Sequence, residues 1–286
     1  MRLHLLVNPT AGRGFAGRRL GAVARAFGAN GDVTTWRTAA RGDESALVRR
    51  AVDAGCTSLA VLGGDGTISK AASALIGLGA PSVLVPVAAG TGNDFVKNVG
   101  LASRDLAAMA RLAVEGGERR IDAGIVEGRY FLNAVGFGFD AAVVARMEGP
   151  ALLRGTARYV ATALRLLLGY RGVTVNGELR LMCVVANGPC FGGAFRIAPA
   201  AAVDDGRLDL VTIGDADAVR RAQLFMHARR GAHGAEPEVQ HSSARAFTLA
   251  FAAPPEYQLD GDLVRAQHAR LRISLAPNAL RVVAPR

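Results

Sequence analysis

The chain has 286 residues, half of them apolar and a fifth charged, so it is long enough for two domains with buried cores. Its net charge is +10, and only two of its 34 basic residues are lysines, Lys70 and Lys97. Neither lysine lies in a Gly-x-x-x-x-Gly-Lys-Ser/Thr motif, which excludes a P-loop kinase, and no apolar run is long enough to span a bilayer.

The first part of the chain alternates short apolar runs with helical patterns. We predict strands at residues 3–7, 33–36, 59–62 and 82–87, and helices at 18–27, 44–54, 68–78, 95–99 and 105–115. Regular alternation of strand and helix is typical of a parallel sheet covered by helices. The first domain is therefore predicted to be an α/β domain.

Beyond residue 117 the pattern becomes rich in strands. Two hairpins are predicted, one turning at Glu127-Gly128-Arg129 between 120–126 and 130–135, the other at Asn176-Gly177 between 173–175 and 178–185. Further strands are predicted at 207–213, 246–251, 256–259, 270–275 and 280–283. The arginine-rich helical stretch at 152–168 is expected to pack on its own sheet rather than on a membrane. A second, mostly antiparallel domain is therefore predicted to begin near residue 120.

The histidines and cysteines of the chain show no spacing typical of a metal site. The five histidines, which we expect at the surface, are His4, His227, His233, His241 and His268. The three cysteines, Cys56, Cys183 and Cys190, form no Cys-x-x-Cys pair, which is typical of free thiols in a reducing compartment.

A glycine-rich turn follows the third predicted strand, with the sequence Gly63-Gly64-Asp65-Gly66-Thr67. Glycines let the backbone approach a phosphate closely, and the N-terminus of the following helix favours negative charge. A carboxylate at this place would repel a phosphate unless a cation lies between them, so Asp65 indicates a metal-bound nucleotide. The alternative is a tight turn in which Asp65 only caps its helix.

A second turn of the same kind follows the fourth predicted strand, with the sequence Gly90-Thr91-Gly92-Asn93-Asp94-Phe95. Both turns are expected at the carboxyl edge of one parallel sheet, which is where open α/β sheets bind ligands. Two acidic glycine loops at one edge favour a phosphate site over helix capping alone.

Together these two turns resemble the paired motifs of the diacylglycerol kinase catalytic family, which includes bacterial soluble diacylglycerol kinases and eukaryotic sphingosine and ceramide kinases. Three further stretches fit the family in order, and they are Asn8-Pro9-Thr10-Ala11-Gly12, Asn133-Ala134-Val135-Gly136-Phe137-Gly138-Phe139-Asp140 and Asp260-Gly261-Asp262. The resemblance implies an α/β nucleotide-binding domain at 1–119, a β-sandwich lipid domain at 120–276, and an active site in the cleft between them. It also implies that the tail at 277–286 returns to the first domain.

The resemblance implies ATP contacts along the glycine loops. The implied residues are Asn8, Pro9, Thr10, Ala11, Gly12, Thr38, Gly63, Gly64, Asp65, Gly66, Thr67, Ile68, Ser69, Lys70, Gly90, Thr91 and Asn93. At Ser69-Lys70 the family often has Asn-Glu, so the sequence departs from the family there. Lys70 is left open between a phosphate contact and a solvated surface lysine.

Four aspartates are implied to be catalytic. Asp65, Asp94 and Asp260 would organise Mg²⁺ and its waters around the phosphates, as the resemblance implies. Asp262 stands where the family usually has the glutamate that takes the proton from the acceptor hydroxyl. Aspartate is one methylene shorter, so the reach of this base is in question.

A separate loop resembles the structural-metal loop of the family. In it Asp205 would give its carboxylate, and Ala202 and Arg207 their backbone carbonyls, to a Mg²⁺ ion. Without the resemblance, the same segment is an ordinary Asp-Gly turn.

The predicted function is an ATP- and Mg²⁺-dependent lipid kinase that phosphorylates a lipid hydroxyl, with diacylglycerol as the favoured substrate. One alternative is an NAD kinase, whose family shares Gly-Gly-Asp-Gly-Thr. The other is a nucleotide-binding regulator, associated with a membrane or with nucleic acid, that has lost activity through Asp262.

The expected partner is a lipid at the membrane surface, and a homodimer remains an option. Nucleic acid is not expected, because the few aromatic residues are not interleaved with the arginines. No secretory signal is visible. We therefore expect a cytoplasmic protein, peripheral at the inner face of the membrane.

Overall fold

The computed structural model describes residues 2–29, 32–101, 105–147, 155–167, 169–193 and 195–285. The chain forms two compact units, one of Met1–Asp122 with Pro277–Arg286 and the other of Ala123–Ala276. The predicted boundary between residues 119 and 120 lies just before the observed boundary between Asp122 and Ala123.

The first unit alternates strands and helices. In chain order its elements are β1 (Leu3–Val7), α1 (Ala11–Gly28), β2 (Val33–Arg37), α2 (Glu44–Asp53), β3 (Ser58–Gly63), α3 (Asp65–Gly77), β4 (Val83–Ala88), α4 (Asp94–Asn98), α5 (Leu106–Glu115) and β5 (Gly117–Val126), of which the last continues into the second unit. The predicted strands and helices of this part of the chain are confirmed, apart from shifts at their ends.

The second unit is rich in strands. Its elements are β6 (Arg129–Phe131), β7 (Ala134–Gly138), α6 (Phe139–Arg146), α7 (Gly155–Leu167), β8 (Val173–Val175), β9 (Glu178–Ala186), β10 (Leu208–Gly214), α8 (Ala218–Arg230), β11 (Val239–Ala244), β12 (Ala246–Ala250), β13 (Glu256–Leu259), β14 (Asp262–Arg265) and β15 (Arg270–Ala284), whose last residues belong to the first unit.

Strands β2, β1, β3 and β4 form a parallel sheet in that order. Every residue of β1 and β3 is buried, because helices cover both faces of a parallel sheet. The end of β15 lies parallel to β4, with Val282 opposite Leu84. Parallel pairing puts the carboxyl ends of β1 to β4 at one edge, so the loops that follow these strands lie together.

The second unit is an antiparallel sandwich. One sheet has the order β11-β10-β9-β7-β13-β14, with β8 beside β9, and the other pairs β12 with β15. Strand β9 is buried on both faces: Cys183 and Val185 belong to one apolar core, and Met182 and Val184 to the other. The second core also contains side chains of α6, α7 and α8. The α/β domain and the antiparallel sandwich are thus both confirmed.

Two predicted strand boundaries are wrong. The predicted strand 130–135 is broken into β6 and β7, because the backbone at Leu132 and Asn133 bonds to side chains instead of continuing a ladder. The strands predicted at 270–275 and 280–283 are one strand, β15, which carries Pro277 within it. Helices α6 and α8 were not predicted.

Two histidine predictions are also wrong. His233 is buried, with Nε2 2.9 Å from the Ile197 carbonyl oxygen. His4 is buried in β1, where its Nδ1 accepts a hydrogen bond of 3.0 Å from the Trp36 indole. His233 was judged by the arginines near it in sequence, and His4 as one of five scattered histidines, although it stands in the apolar run of β1.

The packing prediction for the arginine-rich helix is confirmed for its described part. Tyr159, Ala163 and Leu167 form one stripe of α7 and are buried in the helix-covered core. Residues 152–154 and 168 of the predicted helix lie outside the described residues. Within the described chain, no helix is both long and apolar enough to cross a membrane.

Candidate active site

The candidate ATP residues lie at the carboxyl edge of the parallel sheet of the first unit. Hydrogen bonds extend the sheet into its loops: Thr38 N–H donates to the Val7 carbonyl at 3.0 Å, and Asn8 N–H to the Leu62 carbonyl at 3.1 Å. A third bond of 2.8 Å runs from Ala89 N–H to the Gly63 carbonyl. The loops after β1, β2, β3 and β4 are therefore fixed to one another where the strands end.

Asn8 connects the first loop to the start of α3. Its Nδ2 donates to the Thr67 hydroxyl at 3.0 Å, and its Oδ1 accepts from the Thr10 N–H and hydroxyl at 3.1 and 2.8 Å. These bonds bring together, from distant parts of the sequence, three residues predicted to contact ATP. Pro9 and Ala11 lie in the same loop, half-buried.

Glycines leave the backbone of the loops at this edge of the sheet uncovered by side chains. A Cβ on Gly90 would lie 2.8 Å from Gly64 Cα and 2.9 Å from Asn93 Oδ1. A Cβ on Gly12, whose φ is +59°, would lie 2.1 Å from the Ala89 carbonyl oxygen. These glycines are required because the loops touch, whereas Gly66 faces open space above the first turn of α3.

Helix α3 begins without a side-chain cap, since its N-cap residue is Gly64. The unpaired N–H groups of such a turn are suited to phosphate oxygens. Thr67, Ile68 and Ser69 are buried on this first turn. Lys70 is half-buried on the next, so both interpretations of this lysine remain predictions.

Asp65 bonds across to the second glycine loop instead of capping its own helix. Its carboxylate accepts from the backbone N–H groups of Asn93 at 2.6 Å and Phe95 at 3.3 Å, at the start of α4. Asn93 is left-handed, with φ +54°, and its amide exchanges two hydrogen bonds of 3.0 Å with the Gly90 backbone. Asp65 thus holds the two loops in one arrangement, with Thr91 exposed at the tip.

Burial, followed by the charge of Asp94, raises the pKa of Asp65 to about 6, while backbone hydrogen bonds act in the opposite direction. Asp94 is buried, and Lys97 Nζ lies 3.2 Å from its Oδ1. A divalent cation would relieve the repulsion between Asp65 and Asp94, and oxygen donors are the ligands that Mg²⁺ prefers. The pair therefore fits a Mg²⁺ ion, although no group of three acidic, His or Cys side chains able to hold a metal occurs among the described residues.

In the second unit, Asp260 and Gly261 form the turn between β13 and β14, with φ of +48° and +91°. The Asp260 carboxylate accepts three backbone hydrogen bonds, from Leu132 at 2.8 Å, Asn133 at 2.9 Å and Ala134 at 3.1 Å. These bonds hold the chain where it passes from β6 to β7. They give Asp260 a structural function, and its role toward Mg²⁺ stays a prediction.

Asp262 is the first residue of β14, opposite Leu259, and is half-buried. Its turn is held by Gln258, a buried residue whose Oε1 accepts from the Gly261 N–H at 2.8 Å. Sequence reasoning missed Gln258, because a glutamine two residues before an Asp-Gly turn carries no recognisable signal.

Asp140 was quoted in the sequence only as part of a motif, and the structure buries it completely. Its Oδ1 accepts a hydrogen bond of 2.9 Å from the Tyr159 hydroxyl. Burial raises the pKa of Asp140 to about 7, even though the Tyr159 hydroxyl and the Gln258 amide favour the ionised form.

An apolar pocket lies beside this residue, between the sheet and helices α6, α7 and α8. The pocket is narrow, with a cavity volume of about 30 Å³, and it opens to solvent. Its lining is formed by Phe139, Tyr159, Leu167, Leu181, Met182, Phe191, Phe195, Ile197, Ile213, Arg221, Leu224, Phe225 and Ala228. Among these described lining residues Arg221 alone is charged, and it pairs with Asp215.

The predicted structural-metal loop forms turns before β10. Asp205 Oδ1 accepts from the Arg207 N–H at 3.0 Å, both side chains are exposed, and Ala202 is half-buried. This bond is expected of an ordinary Asp-Gly turn and is compatible with a carbonyl-rich site, so the metal assignment stays a prediction.

Comparisons with known proteins match both units. Residues 2–126 match the diacylglycerol kinase catalytic domain, and residues 133–284 match the YegS C-terminal NAD kinase beta sandwich-like domain. A diacylglycerol kinase of Mycobacterium tuberculosis is 30% identical over 98% of this chain and 94% of its own length. A probable YegS-like lipid kinase of Pseudomonas fluorescens is 33% identical over 88% and 84%.

A diacylglycerol kinase of Bacillus subtilis is 26% identical over 91% of this chain and 89% of its own length. Among solved structures, a putative diacylglycerol kinase from Bacillus anthracis has the same fold, with a TM-score of 0.79 and 21% identity over 99% of this chain and 97% of that one. The chain therefore belongs to the family of diacylglycerol kinases and YegS-like lipid kinases.

Proposed function

We propose that this lipid kinase transfers the γ-phosphate of ATP to the hydroxyl of diacylglycerol, giving phosphatidic acid at the inner face of the membrane. The observation that carries the proposal is the apolar lining of the pocket in the second unit, since such side chains suit contact with a lipid. An NAD kinase needs a polar acceptor site instead. Relatives named diacylglycerol kinase over nearly the whole chain support the same substrate.

The first unit is assigned to nucleotide binding. Asn8 and Thr67 would position the phosphates through the loops they join, and the bare backbone at Gly64, Gly66 and Gly90 would let phosphate oxygens approach N–H groups. Mg²⁺, when bound near Asp65 and Asp94, would neutralise the charge of the phosphates and so help the transfer.

The second unit is assigned to the acceptor and its proton. A base must keep an oxygen available within hydrogen-bond reach of the hydroxyl. Asp260 uses both carboxylate oxygens on three backbone N–H groups, so it is poorly suited to that task. We assign the proton of the acceptor hydroxyl to a carboxylate oxygen of Asp262, because this residue stands where the family usually has its glutamate base.

The test is transfer of radiolabelled phosphate from ATP, with Mg²⁺, to a panel of acceptors. The panel contains diacylglycerol, monoacylglycerol, ceramide and sphingosine in mixed micelles, with NAD in a parallel sample. Asp65→Asn serves as the inactive variant, and Asp53→Asn, at an exposed end of α2, as the matched control.

Labelled phosphatidic acid from wild type and Asp53→Asn alone is the expected result. Labelled product from another lipid would support lipid kinase activity and show that diacylglycerol is not the substrate. Labelled NAD phosphate without any labelled lipid would overturn the proposal in favour of an NAD kinase. ATP binding with no labelled product would indicate a regulator without activity.

A further inference from the structure

Three buried polar side chains of the second unit connect the apolar pocket to the turn that carries Asp262. Tyr159, on the pocket wall, donates its hydroxyl hydrogen bond of 2.9 Å to Asp140. Asp140 and Gln258 are 0% and 2% exposed, so neither can be satisfied by bulk water. Gln258 in turn accepts the Gly261 N–H at 2.8 Å.

Asp140 and Gln258 meet in the space left by a glycine. Gln258 lies opposite Gly136 in the pairing of β13 with β7. A Cβ on Gly136 would lie 2.0 Å from Asp140 Oδ2 and 3.0 Å from Gln258 Nε2. Among the described residues neither of these two atoms has a hydrogen-bond partner that meets the distance and angle limits, and both lie beside Gly136.

The chemistry of the pair is complementary in one orientation only. Because Oε1 of Gln258 accepts the Gly261 N–H, its NH₂ group must point away from the turn and toward Asp140. Asp140 offers an acceptor there, because its other oxygen already accepts from Tyr159. The carboxylate is thus placed to orient the glutamine amide, whose oxygen holds the turn.

We propose that Asp140 and Gln258 are positioning residues, which hold the Gly261 N–H and so place Asp262 for its reaction with the acceptor hydroxyl. The inference rests on the proposed function for its catalytic consequence. Its structural part, control of the turn by Asp140 through Gln258, rests on two hydrogen bonds and on the position of both side chains beside Gly136.

The test exchanges the two functional groups. In Asp140→Asn the amide can donate its NH₂ group to the Tyr159 oxygen and keep its carbonyl oxygen toward Gln258, so this change alone can leave the turn in place. In Gln258→Glu two carboxylates face each other. The double variant Asp140→Asn/Gln258→Glu restores a donor opposite an acceptor, and the carboxylate introduced at position 258 still accepts from Gly261.

Gln258→Glu is expected to lower kcat about 10-fold to 100-fold, the order of loss that follows from small misplacement of a reacting group. KM for ATP should be unchanged. The double variant should recover at least about tenfold of the lost kcat. Amide hydrogen exchange at Gly261 should be faster in Gln258→Glu and return to the wild-type rate in the double variant.

Asp209→Asn is the matched control, since Asp209 is a buried carboxylate of β10 that pairs with His241 and lies on a different strand from the turn. It should change stability without changing kcat or exchange at Gly261. Tyr159→Phe removes one bond to Asp140 and gives a milder version of the same loss, which covers the case of a single variant that does not fold.

Equal kcat in wild type and Gln258→Glu, or a double variant no better than Gln258→Glu in both kcat and exchange, would overturn the proposal. If wild type phosphorylates no lipid, the proposed function fails, and the exchange rates alone decide whether Asp140 controls the turn.

Discussion

Asp65→Asn removes the charge of this side chain while leaving its shape. Burial and the neighbouring charge of Asp94 raise the pKa of Asp65 from 3.8 to about 6. A shift of about 2 pKa units corresponds to about 3 kcal/mol, which is the upper limit of the cost of ionising this group in the folded protein. Asp65 keeps some exposure, so we expect about half of that cost.

The direction in which stability changes with pH follows from proton binding to Asp65. The folded state binds this proton more tightly than the unfolded state, so the free energy of unfolding falls as the pH rises from about 4 to about 6. Above that pH range the folded protein bears the full free-energy cost of ionising Asp65. Asparagine avoids the penalty but can accept only one of the two backbone hydrogen bonds from Asn93 and Phe95, a loss of about 1 kcal/mol.

We therefore expect the free energy of unfolding of Asp65→Asn, without ATP or metal, to exceed that of wild type by about 0.5 kcal/mol at pH 8 and to fall below it by about 1 kcal/mol at pH 4. Urea unfolding at several pH values measures this, with Asp53→Asn as a control that should follow wild type. The same variant should lose phosphoryl transfer. Destabilisation of equal size at every pH would contradict the electrostatic reasoning, and normal transfer would contradict the role at the phosphates.

Three further changes test other parts of the site. Asp262→Asn should lower kcat by about 10²-fold to 10⁴-fold with little change in ATP affinity, as measured by lipid phosphorylation and nucleotide titration. Asp262→Glu should retain activity. Wild-type kcat in the asparagine variant would show that another residue is the base. Asp205→Ala should lower the Tm and abolish protection by added Mg²⁺, and equal protection of both proteins would rule out the structural metal. Ala228→Leu, which adds volume to the pocket wall, should raise KM for diacylglycerol and leave KM for ATP unchanged.

The nucleotide-binding unit could be predicted well because its signals are local. All five residues of β1 are apolar or buried against helices, and the glycines that end β3 and β4 stand next to their strands in sequence. The bond from Asp65 to the start of α4 could not be predicted, since it joins residues 28 and 30 positions apart. The sequence indicates an acid at the loop, and only the fold determines which N–H groups it meets.

The sandwich unit was harder because its boundaries depend on distant side chains. The run 130–135 looks like one strand, and it is divided by bonds to Asp260, 128 and 127 positions later. Helix α8 was missed because four arginines interrupt its apolar pattern, and only Leu224, Phe225 and Ala228 are its buried apolar residues. Buried polar groups such as Asp140 are invisible to a pattern of apolar residues.

The two acids of Asp260-Gly261-Asp262 are assigned different roles. Asp260 is committed to three backbone N–H groups, so its carboxylate fixes the turn. Asp262 therefore carries the proton-transfer role under the proposed function, with a side chain one methylene shorter than the glutamate usual in this family. A glutamate can correct a small error in its backbone position by rotating one more bond, and an aspartate cannot. In this chain the turn itself must therefore place the Asp262 carboxylate. The buried side chains of Gln258 and Asp140, which lie behind Gly261, then affect catalysis. They would matter less if the base had a longer side chain.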